Sequence, residues 1–198
     1  PLLVGHSLGG AIALTLATKR PGLLGGLALL APLTQPMEDV PDIFRPLVNP
    51  SPVRRAIIAR TLAVPLGKLK RRRTLATVFA PDAVPADFGE RGGGVLAGRP
   101  GAFQAASTEM SNVGDLVEIA ALYRDIALPV GILFGRGDRI LDPDLHGAQT
   151  AAIIPGAQYE TIDGGHMIPL TAPVATASWL RRQTGRMHGT ATTFPQRT

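Results

Sequence analysis

Residues 5–9, Gly-His-Ser-Leu-Gly, separate a short apolar run, Leu2-Leu3-Val4, from an Ala-, Leu- and Ile-rich stretch that ends in Lys19-Arg20-Pro21-Gly22. Such a junction leaves few folds open. An apolar run with no polar alternation reads as a strand buried on both faces, as in parallel sheets. The stretch after it reads as a packed helix: its last turn carries cations against the negative end of the helix dipole, and Pro-Gly stops it. A serine between the two stands on a sharp turn with strained backbone angles. The residues two before and two after it come close together, so glycine at 5 and at 9 is expected to remove a clash. The turn lifts the Ser7 hydroxyl above the sheet. It also sets the Leu8 N–H at a helix N-terminus, aimed at any oxyanion formed on a carbonyl that Ser7 attacks. With 23 glycines in the chain, the bare spacing could arise by chance. The strand before it and the helix after it favour the functional reading.

The rest of the chain repeats the alternation. Buried strands are expected at 26–31 and 130–134, and a last strand over Ala-Gln-Tyr-Glu-Thr-Ile, 157–162. Asp144 or a near neighbour is expected to cap a helix through 145–154. Thr171–Gln183 reads as a closing helix with Trp179 and Leu180 on its apolar side and Gly185 just past its end. Strands alternating with helices indicate an α/β chain, a parallel sheet with helices on both faces. A 45% hydrophobic, 18% charged composition supplies the core for it. From 35 to 127 the pattern is interrupted by Pro-, Arg- and Gly-rich sequence, with short helices expected at 52–63, 68–79 and 103–110. The tail, 186–198, lacks periodicity and is expected to be loose. There is no cysteine, which excludes disulfides, thiolate catalysis and Cys-based zinc sites.

A serine hydroxyl needs a base to take its proton. Of the four histidines, His6 adjoins Ser7 but diverges from it on a tight turn, which suits a packing or substrate-pocket role. His146 falls in a helix and His188 in the tail. His166 follows the last strand behind Gly164-Gly165, which lets its loop approach the serine, and is the best base. An acid must fix the tautomer of that base. Asp138 follows a buried strand directly, and sites in open α/β sheets form at the carboxyl ends of strands. Asp142, Asp144 and Asp163 have plainer readings as turn, cap and loop residues.

Together, Gly-His-Ser-Leu-Gly-Gly at 5–10, Gly135 to Asp138 with Pro143, and Gly165-His166 followed by an apolar pair resemble the serine α/β-hydrolase superfamily. The resemblance covers 1–34 and about 128–183, giving a core of 1–34 and 128–185. It implies an α/β-hydrolase fold in which 35–127 is a mainly helical cap, and a triad of Ser7, His166 and Asp138 with Leu8 as one oxyanion donor. His6 and Met167 would touch substrate. No metal or cofactor is implied. Relatives that open epoxides or remove halides carry aspartate at the elbow; serine points to acyl transfer from an ester, thioester or lactone, an esterase- or lipase-like activity. C–C bond hydrolysis, acyltransfer, a peroxidase-like activity and a non-catalytic binding role are the alternatives. The family has strands before the elbow, and a loop after one of them supplies the second oxyanion donor. This sequence starts at the elbow strand, so it is expected to be a C-terminal portion with the N-terminal strands absent, poorly stable and weakly active alone.

Net charge is +5. Between Ile43 and Pro81 there is no acid, while Arg45, Arg54, Arg55, Arg60, Lys68, Lys70 and Arg71-Arg72-Arg73 all occur. Such a run is first a solvated face; weak contact with an anionic membrane is the second reading. Nucleic acid is not expected, because no aromatics interleave the cations for base stacking. The expected partner is a small apolar acyl compound. No leader peptide or membrane span is legible, so a cytoplasmic location is expected.

Overall fold

The structure is a computed structural model and describes residues 1–37, 41–49, 51–111 and 116–190, with side chains to 186. Four strands, β1 (Leu2–His6), β2 (Gly26–Leu30), β3 (Val130–Gly135) and β4 (Gln158–Ile162), form one parallel sheet in the order of the chain. The register pairs Val4 with Ala28, Leu29 with Ile132, and Ile132 with Tyr159. All five residues of β2 and all six of β3 are buried, which is why these strands carry no polar alternation.

Successive side chains of a strand point to opposite faces. Leu27 and Leu29 of β2 and Val130, Ile132 and Phe134 of β3 meet helix α1 (Leu8–Lys19) through Ala13 and Leu14, and helix α5 (Leu116–Ala121) through Ile119. On the other face Ala28, Leu30 and Leu133 pack against Ile168 of α7 (Ile168–Thr171) and Trp179 of α8 (Pro173–Thr190). Trp179 donates its ring N–H to Glu160 Oε1 at 2.9 Å, so the buried indole leaves no polar atom unpaired. β1 is the edge of the sheet, with Val4 and Ile12 exposed beside it.

Between β2 and β3 lies the insertion. It carries α2 (Pro52–Thr61), α3 (Ala63–Phe79) and α4 (Pro100–Ser111), then α5 leads back to β3. α3 and α4 run longer than the sequence suggests, and α2 ends two residues early. The stretch expected to be one helix at 52–63 is broken near Leu62, and α3 begins before Pro65, which is tolerated in a first turn. Ser51 accepts the Arg54 N–H and caps α2. The cations of 68–73 are exposed along α3.

Three expectations fail. Gly185 does not end the last helix: α8 continues to Thr190, through the first part of the supposed loose tail, because nothing lies near Gly185 and a mid-helix glycine costs only about 1 kcal/mol. His188 therefore falls within α8, and 191–198 lie outside the described residues. Asp144 is not a cap; Asp142 Oδ1 accepts the Asp144 N–H at 2.8 Å and starts a π-helical turn, Asp144–Gln149, that passes into α6 (Thr150–Ile153).

The point where the chain leaves the sheet for the insertion is held by His146. Its Nδ1 accepts the backbone N–H of Thr34 at 3.3 Å and of Gln35 at 3.2 Å. Thr34 Oγ1 donates to the His146 carbonyl at 2.9 Å, and Tyr123 donates its hydroxyl to the Thr34 carbonyl at 2.6 Å. A nitrogen that accepts two N–H groups carries no proton, so His146 is neutral with hydrogen on Nε2. Burial lowers its pKa from the ordinary value and agrees with that state.

Candidate active site

All four strands end at the same edge of the sheet, and the loops that follow bring Ser7, Asp138 and His166 together. Ser7 follows β1 with φ 53° and ψ −122°, a conformation that is strained for a residue with a side chain. Neighbouring backbone fixes it: the Ser7 N–H donates to the Leu30 carbonyl at 3.1 Å, and its carbonyl accepts from Gly10 at 2.8 Å and Leu33 at 2.9 Å. Glycine is required here, but not at both expected places. A methyl group on Gly5 would fall 2.5 Å from the Gly9 carbonyl oxygen, whereas one on Gly9 meets nothing within 4 Å. The second tight position is Gly10, where a methyl would fall 2.3 Å from Pro32 Cβ. The close approach of helix to the loop after β2, rather than the turn itself, excludes a side chain there. Leu8 is the first residue of α1, and its N–H lies beside the serine at the helix N-terminus.

His166 Nε2 lies 2.9 Å from Ser7 Oγ, and His166 Nδ1 lies 2.8 Å from Asp138 Oδ2. The His166 and Asp138 side chains are 3% and 0% exposed, so water does not compete for this contact. Asp138 is locked in turn: its Oδ1 accepts the N–H groups of Ile140 at 2.8 Å and Leu141 at 3.1 Å. An ionised carboxylate only accepts. The Nδ1 facing it therefore holds the proton, and Nε2 presents its lone pair to the serine hydroxyl.

His6 sits behind this chain of groups. Its Nε2 donates to the His166 backbone carbonyl at 3.0 Å, and the two imidazole rings stand 5.1 Å apart at 41°. Burial lowers the His6 pKa, only partly offset by that bond. His6 thus fixes the backbone of the histidine loop. Met167 is half-buried; its carbonyl accepts from Leu170 at 2.8 Å and Thr171 at 3.0 Å, starting α7. Asp163 is exposed and paired with Arg136.

One residue here is not legible in the sequence. Asp82, deep in the insertion, accepts the Gly165 N–H at Oδ2, 2.8 Å away. An Asp after a proline in a Pro-rich segment carries no signal that it reaches a loop 83 residues on.

The chain belongs to the alpha/beta hydrolase family, which it matches over residues 1–179. No curated protein matches the chain. Among solved structures it is similar to a thermophilic esterase from Thermogutta terrifontis (TM-score 0.69, 23% identity, covering 94% of this chain and 65% of that one). It is also similar to the enol-lactonase from Burkholderia xenovorans (0.62, 23%, 92% and 64%). A third is the 2-hydroxy-6-oxo-6-phenylhexa-2,4-dienoate hydrolase from a Rhodococcus strain (0.65, 19%, 91% and 62%). The chain thus spans a little under two thirds of the length of these structures. At such identities the likeness shows the fold.

Proposed function

We propose that the protein is a serine hydrolase that cleaves a carboxylic ester, thioester or lactone through an acyl-enzyme. The observation that carries this reading is the unbroken chain from Ser7 Oγ to His166 at 2.9 Å and on to Asp138 at 2.8 Å, with the serine held at φ 53°. In the proposed reaction Ser7 Oγ attacks the substrate carbonyl carbon while His166 Nε2 takes its proton. Asp138 keeps the ring in the required tautomer and stabilises the imidazolium. The Leu8 N–H donates to the oxyanion. His166 returns the proton to the leaving oxygen or sulfur. Water, deprotonated by the same nitrogen, then releases the acid and frees the serine.

The esterase and enol-lactonase among the similar structures support this substrate class by analogy of fold. The test is turnover of short- and medium-chain p-nitrophenyl esters by the whole protein, together with labelling by a fluorophosphonate probe. Ester cleavage and labelling that both vanish in Ser7→Ala are expected. Labelling that persists in Ser7→Ala, or no labelling of the unsubstituted protein, sinks the reading.

A further inference from the structure

We propose that Asp82 is a positioning residue for His166, so that the insertion helps to set the geometry of the base. This rests on the serine-hydrolase reading above and deepens it.

Among the described residues, the insertion meets the histidine loop and the acid turn at a seam made by Ala80, Pro81 and Asp82, just after α3. At this seam backbone meets backbone. A methyl group on Gly165 would fall 2.3 Å from the Ala80 carbonyl oxygen, and one on Gly137 would fall 2.9 Å from Pro81 Cγ. A methyl on Gly135 would fall 2.3 Å from the Gly165 carbonyl oxygen, and Gly137 donates its N–H to the Gly164 carbonyl at 2.9 Å. The acid turn, the histidine loop and the insertion are therefore packed so closely that no side chain fits at Gly135, Gly137 or Gly165. Only glycine allows this spacing.

Asp82 turns that contact into a directional one. Its Oδ2 accepts the Gly165 N–H at 2.8 Å, a bond from an amide to a carboxylate, stronger than one between neutral groups. Gly165 is the residue before His166, and Gly164 before it has φ 133°, a backbone state that only glycine enters freely. A loop of two glycines has many alternative conformations. The imidazole must nevertheless keep Nε2 near Ser7 and Nδ1 near Asp138. On the far side, His6 holds the His166 carbonyl. The peptide units flanking the base are thus pinned twice: the Gly165 amide by the insertion, the His166 carbonyl by the elbow. Losing one pin frees the ring to leave line by the ångström or so that costs up to about 10²-fold in rate.

Four forms of the whole protein decide it: unsubstituted, Asp82→Ala, Asp82→Asn and Ser7→Ala. Each is assayed for kcat and KM on a p-nitrophenyl ester and for the rate of fluorophosphonate labelling. Asp82→Ala is expected to lower kcat and the labelling rate about 10-fold or more, with KM within about twofold, since the pin orients the base and does not hold substrate. Asp82→Asn keeps an acceptor oxygen and is expected to recover most of the loss. A measurement that needs no variant is amide hydrogen exchange at Gly165, expected to be slowed well below the rate of an open loop. Asp82→Ala with wild-type kcat overturns the proposal. So does Asp82→Asn as impaired as Asp82→Ala, or a Gly165 amide that exchanges freely. If the unsubstituted protein is not labelled at all, it is the serine-hydrolase reading that fails, and the exchange rate still reports whether the pin exists.

Discussion

The sheet and the insertion are built on opposite terms. β2 and β3 are buried over their whole length, and their side chains fill both faces. α2 and α3, by contrast, each bury one side chain, Ala59 and Phe79, and leave Val53, Ile57, Leu62, Leu66 and Leu69 exposed. Yet both regions reach the reacting groups: the sheet supplies Ser7, Asp138 and His166, and the insertion supplies Asp82. In the proposed reaction the chemistry falls at strand ends, and the insertion would act on it through the seam at Ala80, Pro81 and Asp82. Substitutions in the two regions should therefore differ in kind, and the sharpest way to break this picture is to compare them.

The largest effects belong to the strand ends. Ser7→Ala is expected to reduce ester turnover by roughly 10⁴-fold or more, and Asp138→Asn by about 10³- to 10⁴-fold, with little change in melting temperature. Steady-state kinetics on the whole protein with thermal melts alongside measure both. If Asp138→Asn lost as much stability as activity, the acid would be holding the fold, and the division between frame and chemistry would fail.

Next come the sheet faces. Trp179 is 1% exposed, packs against β2 and β3, and donates to Glu160. Trp179→Ala should destabilise by about 3–5 kcal/mol, read from urea unfolding, because the site is backed by strands that cannot collapse into the cavity.

Smaller, and dependent on pH, is the effect of His146. Its folded-state pKa is lowered, chiefly by burial. Below the ordinary value near 6.5 the unfolded chain binds protons that the folded chain does not, so stability falls as pH drops through that region and is level above it. Half-buried His6, whose pKa is also lowered, acts in the same sense. Urea unfolding at pH 7.5 and 5.5 should show the loss. His146→Asn keeps an acceptor for Thr34 and Gln35 but does not titrate, so it should lose less between the two pH values than the unsubstituted protein. An equal loss would mean that the entry to the insertion is not where the proton acts.

The same contrast explains what was legible in the sequence. β2 and β3 announce themselves because strands buried on both faces must be apolar throughout, whereas half-buried β4, with Gln158, Glu160 and Thr161, is marked by the Pro155-Gly156 turn before it. Ser7, Asp138 and His166 could be singled out because each follows a strand in a turn marked by glycine. Gly10 could not be told from Gly9, since the clash that excludes a side chain comes from Pro32, distant in the chain. Asp144 suits a cap by its position, but its own N–H is taken by Asp142 Oδ1, which only the geometry reveals. His146 and Asp82 were illegible for one reason: each acts on backbone amides far along the chain, Thr34 and Gln35 for one and Gly165 for the other, and backbone partners leave no mark in a sequence. The start of α2 at Pro52 and the end of α3 at Phe79 were legible, but the break near Leu62 between them was not, because helices that bury one side chain each have no apolar stripe to set their period.

The smallest expected effect is the one that tests the insertion directly. Leu69 is 80% exposed on α3, two turns or more from the end that meets the histidine loop. Leu69→Ser removes an apolar side chain that has little surface to lose, and serine is a slightly poorer helix former. Together these amount to about 0.5 kcal/mol or less. The anchoring of α3 rests instead on Phe79, fully buried and set edge-on to Phe88 with ring centroids 5.0 Å apart. Phe79→Ala should cost several-fold more in the same urea titration, about 3 kcal/mol or above. It should also lower turnover, because Phe79 directly precedes the seam at Ala80. If Leu69→Ser proved as costly as Phe79→Ala, the outer face of α3 would be packed in the whole protein, and the insertion would be a second core rather than an arm held at one end.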